Sequence, residues 1–305
     1  GKNPFKENKV SVSSKPKKIL TDRDIITLLD IKKDELYYLE SRMFLFSLFT
    51  NGLRCSDMML MKYRNIKKEY IEYYQLKTKV PIKVNYSDKV VFILMDLFGL
   101  LEHKTKFESQ MRLNKPDFTP YLTAKRRMLK KMKYNRVDED FVSHFGYMIK
   151  PNDEESKTII EEIVRIEKNI NIYCKNVIYN YTSKQDKDEF IFKDFVKSKC
   201  FNNYKKSDIP MNKEQFDTYK SRFTSYNAKL KRMAKHYKLS IQDITTHVSR
   251  FTFTNMLLEI PGLNLNDIRI ALGHSNLATT QKYIQTGFDF KKSDIVNSEI
   301  NYKFR

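Results

Sequence analysis

Two separated stretches of the chain carry residues suited to phosphoryl transfer. Near the C-terminal end, His247, Val248, Ser249 and Arg250 are followed by Leu272, Gly273, His274 and Ser275, then by Thr279 and Thr280, and finally by Lys282, Tyr283 and Ile284. Far upstream stand Thr50, Asn51, Gly52, Leu53, Arg54, Cys55, Ser56 and Asp57, and after them Lys77-Thr78-Lys79. A tyrosine hydroxyl can hold a phosphoryl group covalently, but it is weak at its free pKa and needs help. Arginines answer the charge that builds on phosphate oxygens, because their planar fork matches phosphate geometry and never deprotonates. Histidines can hydrogen-bond the phosphate or move protons near neutral pH. A lysine can protonate a departing oxygen. Such a set needs no metal if the arginines supply the positive field.

These residues meet only if helices bring them together. Tyr283 lies nine residues after His274 and thirty-three after Arg250. Segment 248–259 reads as a helix, with Phe251, Met256 and Leu258 apolar and Gly262 beyond it. Asn266 can cap a short helix over 267–272 that Gly273 ends, and 276–285 reads as a last helix carrying the tyrosine. At the other end, Thr21 and Asp24 give a capping-box signal for a helix with Ile25, Ile26, Leu28 and Leu29. A second helix over 35–50 crowds Met43, Phe44, Phe46, Leu48 and Phe49 and is predicted to be buried on most sides. Gly52 permits a turn, and Ser56 or Asp57 can start the next helix.

Residues 69–76 and 79–84 alternate as a hairpin whose turn is Lys77-Thr78-Lys79. Pro81 cannot donate to a ladder, so the second strand is an edge or starts there. Further helices are predicted over 87–102, 153–181 and 213–236. The fold class is mainly α with a small antiparallel β-sheet (α+β).

The 305 residues carry a net charge of +20, with a pI of about 9.6 and 41% hydrophobic residues. That is enough apolar matter for a packed core, and the basic excess points to a polyanion, nucleic acid first. A codon bias towards lysine, which the wealth of Asn, Ile and Tyr suggests, would inflate the charge without removing the acids. Cys55, Cys174 and Cys200 make no CxxC and no zinc spacing, which fits a reducing compartment. No apolar run approaches about 18 residues, so no membrane span is expected. There is no Gly-x-x-x-x-Gly-Lys phosphate loop.

The ordered set His-x-x-Arg, Leu-Gly-His and Thr-Thr-x-x-Tyr resembles the end of the catalytic domain of the tyrosine recombinase (phage integrase) family. Thr50 to Asp57 resembles the family's first arginine box, Thr-Gly-Leu-Arg-x-Ser-Glu, with Asp57 in place of the glutamate. The resemblance covers roughly 20–102 and 189–290. Phe251 stands where many members carry His, and Ser249 is smaller and more polar than the common residue. The resemblance implies a tyrosine recombinase catalytic domain fold with a helical insertion at about 103–188. It implies Tyr283 as nucleophile, forming a 3′-phosphotyrosyl link, and Arg54 and Arg250 on the phosphate oxygens. It gives His247 proton transfer, His274 support of phosphate and tyrosine, and Lys77 protonation of the 5′ leaving oxygen. Lys77 is the better match to the family's Lys-Thr pattern, and Lys79 is its rival. A type IB topoisomerase-like nicking-closing enzyme and a non-catalytic DNA-binding module of a mobile element are the alternative readings.

Residues 1–19 are a linker by composition, which the resemblance places after an upstream DNA-binding domain; Gly1 in place of Met reads as a boundary within a longer chain. Residues 20–290 form the expected catalytic domain, and 291–305 a tail docking in cis or in trans. DNA contacts are expected from Lys79, from Arg222, Lys229 and Arg232 on the helix over 213–236, and from Arg126 and Arg127 in the insertion. Solvated basic faces are the competing reading. The implied partners are double-stranded DNA bearing attachment sites and a homo-tetramer on synapsed DNA, with accessory DNA-bending proteins allowed for. No cofactor, no metal and no membrane are expected, and the implied location is the cytoplasm of a bacterial or phage-infected cell, on DNA.

Overall fold

The computed structural model describes residues 18–113, 154–193, 199–201, 211–258, 263–274 and 276–284. Gly262, Arg126, Arg127, residues 1–17 and the tail 291–305 lie outside them. Two units divide the chain. One joins Gly1–Cys55 to Phe223–Arg305, and the other is Ser56–Arg222.

The first unit is helical in its described residues. α1 (Asp22–Asp30) begins at Thr21, whose side chain accepts from the Asp24 amide while the Asp24 carboxylate takes the Thr21 amide, so the expected capping box is present. Asp24 also accepts from the Ser240 amide at 2.8 Å, which joins the start of α1 to a distant loop. α2 (Tyr38–Phe49) has no amphipathic face because it is buried on nearly every side, from Met43 through Leu48. Arg42 sits within it and gives its guanidinium to the carbonyls of Leu28, Leu29 and Ile31, satisfying orphan acceptors at the end of α1. α2 packs on α1 and on α8 (Thr246–Leu258), the helix of His247 and Arg250.

α9 (Leu265–Leu272) and α10 (Leu277–Ile284) complete this unit, and both touch α8. The cap of α9 is Asn264, two residues earlier than the expected Asn266. Asn264 accepts from the Asn266 and Asp267 amides, and Asp267 closes the box. The box won because it satisfies more orphan amides than a cap at Asn266 could. Gly273 ends α9 at φ 63, as expected.

α3 (Cys55–Met59) opens on the last residue of the first unit's leading half, and the second unit holds the rest of it with the hairpin β1 (Tyr70–Tyr74) and β2 (Pro81–Asn85). The strands pair antiparallel with Tyr74 opposite Pro81, so the proline opens its strand at the turn, where it costs the ladder little. The helix expected over 87–102 is two helices, α4 (Asp88–Leu97) and α5 (Leu101–Arg112). Gly99 at φ 69 breaks it, a left-handed residue that ends α4 where the apolar pattern alone would run on. α6 (Glu154–Ser183) packs along both, burying Ile166, Ile170, Cys174 and Ile178 and stacking Tyr173 on Phe107 at 4.0 Å. The described part of the expected insertion is therefore built into this unit's core. α7 (Lys213–His236) matches the predicted bounds and is shared by the two units.

Candidate active site

Five of the six chemical residues belong to the first unit: Arg54, His247, Arg250, His274 and Tyr283. Arg54 follows the sharp turn after α2, where Asn51 and Gly52 both have positive φ. Gly52 is required twice over. Its φ is +60, and a Cβ there would lie 2.9 Å from the Arg250 Cα. The glycine thus lets the arginine box lie directly on α8.

Arg250 is 3% exposed and its guanidinium is fixed by the fold. Nη1 donates to the Gly52 carbonyl at 2.9 Å, and Nη2 to the Leu272 carbonyl at 2.5 Å. Nη2 also lies 2.9 Å from Nε2 of His274, which is 4% exposed. A guanidinium can only donate, so Nε2 accepts and the proton of a neutral ring must sit on Nδ1. Nδ1 in turn lies 3.0 Å from Oγ1 of Thr280 on α10. Burial, with the charges of Arg250 and Arg54, holds the His274 pKa down to about 4, so the ring is neutral at physiological pH. Thr280 precedes Tyr283 by three residues on the same helix.

A pair of serines supports both arginines. Ser47 Oγ donates to the carbonyl of Leu53, the residue before Arg54, at 2.6 Å. Ser47 and Ser249, the residue before Arg250, share a hydrogen bond at 2.8 Å. Both hydroxyls are buried. Sequence reasoning assigned them nothing, yet each left a trace. Ser47 is the polar residue in the apolar run 43–49, and Ser249 departs from the family pattern. At the start of α8, the Asn227 carboxamide on α7 accepts from the Thr246 amide at 2.9 Å. His247 follows on the exposed face of that first turn, its ring 6.4 Å from Phe251.

Lys77 and Lys79 belong to the second unit, both exposed in the β1–β2 turn. The turn is closed by Gln75, whose carbonyl accepts from the Lys79 amide at 2.8 Å and whose side chain accepts from Thr78 at 2.7 Å. Lys79 takes the left-handed residue of the turn, φ 57. Asp57 accepts from the Leu76 amide at 2.8 Å and so holds the residue before Lys77. Arg222 and Arg232 are exposed on α7. Lys229, also exposed on α7, makes a 2.6 Å ion pair with the buried Glu40. Lys231 pairs with Asp243 at 2.6 Å. Among the described residues no cluster of His, Cys, Asp and Glu could hold a metal ion, and no helix is long and apolar enough to cross a membrane.

A fixed arginine, a second arginine on a tight turn, a neutral histidine and a tyrosine-bearing helix are thus gathered in one unit. A model of the phage integrase family matches residues 131–289, just over half of the chain. The chain belongs to the phage integrase family, the tyrosine recombinases, and carries its catalytic domain. The match begins inside the segment read as an insertion and closes just past Tyr283, so the first arginine box lies before it. No curated protein matches the chain. Among solved structures, the chain is similar to a fragment of the Tn1549 transposon integrase in complex with transposon right-end DNA. The two share 13% identity at a TM-score of 0.43, over 95% of this chain and 67% of the other, a remote likeness.

Proposed function

We propose that the protein is a site-specific recombinase of a mobile element that cuts and rejoins double-stranded DNA through a covalent 3′-phosphotyrosine, without metal or ATP. The observation that carries this is the hydrogen-bonded set Gly52–Arg250–His274–Thr280, which lies between the loop of Arg54 and the helix of Tyr283. Tyr283 Oη attacks the phosphorus, and the bond from phosphorus to the 5′ oxygen breaks. His247 takes the tyrosine proton, and Lys77 gives one to the 5′ oxygen as it leaves. Arg54 and Arg250 supply the positive field for the charge on the non-bridging oxygens. The 5′ hydroxyl of a second strand then attacks the phosphotyrosine and regenerates the tyrosine. Four copies on two synapsed sites would complete an exchange.

The test is a nicked half-site cut from the DNA that flanks the reading frame. Wild type should give an SDS-resistant protein–DNA adduct in EDTA and without nucleotide, and Tyr283→Phe should lose it while still binding DNA. An adduct that survives in Tyr283→Phe, or one that forms only with magnesium, would refute the assignment.

A further inference from the structure

The contact of His274 with Thr280 is the part of this network to which the proposed chemistry assigns no task. Thr280 is fully buried, 0% exposed, and its Oγ1 stands 3.0 Å from His274 Nδ1. Because Arg250 already donates to Nε2 at 2.9 Å, the threonine oxygen must be the acceptor. Were the proton on Nε2, two donors would face each other at that distance. We propose that Thr280 is a positioning residue: its hydroxyl holds His274 in the Nδ1–H form, keeps the Nε2 lone pair on Arg250, and so couples the seating of the tyrosine helix to the fixing of that arginine.

The coupling runs both ways. If α10 moves off its seat, Nδ1–H loses its acceptor, the imidazole loses its preference between tautomers, and Arg250 loses an anchor. A buried donor without a partner is strongly disfavoured, so helix, ring and arginine keep one arrangement together. A helix of this length gains little from its own hydrogen bonds, and such a tertiary bond has leverage over where it sits. The catalytic consequence rests on the recombinase reading, whereas the tautomer does not.

The experiment uses protein labelled with 15N-histidine, with the His274 ring identified by its loss in His274→Gln. Long-range proton–nitrogen spectra should show wild-type His274 protonated on Nδ1 and bare on Nε2 at neutral pH. Thr280→Ser keeps the acceptor and should keep that state. Thr280→Val keeps the shape but not the oxygen, and should give averaged tautomers or a proton on Nε2. In the nicked half-site assay Thr280→Val should slow adduct formation about tenfold or more with DNA binding retained, and Thr280→Ser should stay within about threefold of wild type.

A wild-type ring protonated on Nε2 overturns the proposal, as does a Thr280→Val ring that stays wholly Nδ1–H or a Thr280→Val protein that cleaves like wild type. If Thr280→Val does not fold, the spectra of wild type and Thr280→Ser decide, because loss of the Nδ1–H state in the serine variant also overturns it. If wild type forms no adduct, the recombinase reading fails while the spectra still decide what the hydroxyl holds.

Discussion

Ser47 and Ser249 sit 202 residues apart in sequence and share one hydrogen bond between the backbone flanks of two arginines. Each hydroxyl also lies within reach of a backbone carbonyl, that of Leu53 or Thr246, and with one proton apiece the two serines make two of these three contacts at a time. Replacing either by Ala should cost about 1 kcal/mol, the worth of an ordinary buried hydrogen bond. The double variant should show a coupling of about 0.5–1.5 kcal/mol in a urea double-mutant cycle. Strict additivity would mean that the pair does not join the arginine box to α8. His274 makes a second prediction. Its pKa falls from 6.5 to about 4 in the fold, first through burial and then through Arg250 and Arg54. The unfolded chain therefore binds more protons between those values. The stability that His274 contributes is complete above pH 6.5 and is lost as pH falls towards 4. Urea unfolding across that window should show a shallower pH slope for His274→Gln than for wild type. Equal slopes would place the acid sensitivity elsewhere.

At the scale of elements, the approach of the arginine box to α8 depends on Gly52. Ala there meets both a left-handed backbone and the Arg250 Cα at 2.9 Å. Gly52→Ala should lose about 2–3 kcal/mol of stability and lose adduct formation with it. A loss within about 0.5 kcal/mol, the range of an ordinary surface change, would show that α8 yields. This is also the scale at which the sequence was most legible. Caps, glycines and apolar periods are local, and they placed the start of α1, the whole of α7, and α2, α6 and the hairpin strands to within about three residues. The motif likewise put Arg54, Arg250, His274 and the tyrosine helix in one order. What stayed hidden was tertiary. The period over 87–102 could not show that Gly99 turns left-handed, and Ser47 and Ser249 have no meaning until they meet. The ion pair of Lys229 with Glu40, 189 residues away, likewise has no local signal.

For the whole molecule, the net charge of +20 favours association with a polyanion. Among the described basic side chains, Lys18, Lys229 and Lys231 are paired with the protein's own carboxylates, which the net charge already counts. The exposed remainder should still make affinity for generic duplex DNA fall by about tenfold or more between 50 and 200 mM salt, read by fluorescence anisotropy. A binding constant unchanged over that range would rule out phosphate contacts as its main source. The order of the chain has a different consequence. The first unit is split, with the second unit written between its halves. Gly52 reaches its partner Arg250 across 198 residues. At ribosomal speeds of about 5–20 residues per second, that interval is roughly 10–40 s of synthesis. During it the first arginine box exists without the helices that complete its site. The second unit is made within that interval, because all of its chain lies between the two partners. A nascent or prematurely terminated chain therefore carries the first arginine box without Arg250 and His274, so on the proposed recombinase reading a growing polypeptide lacks the means to cut.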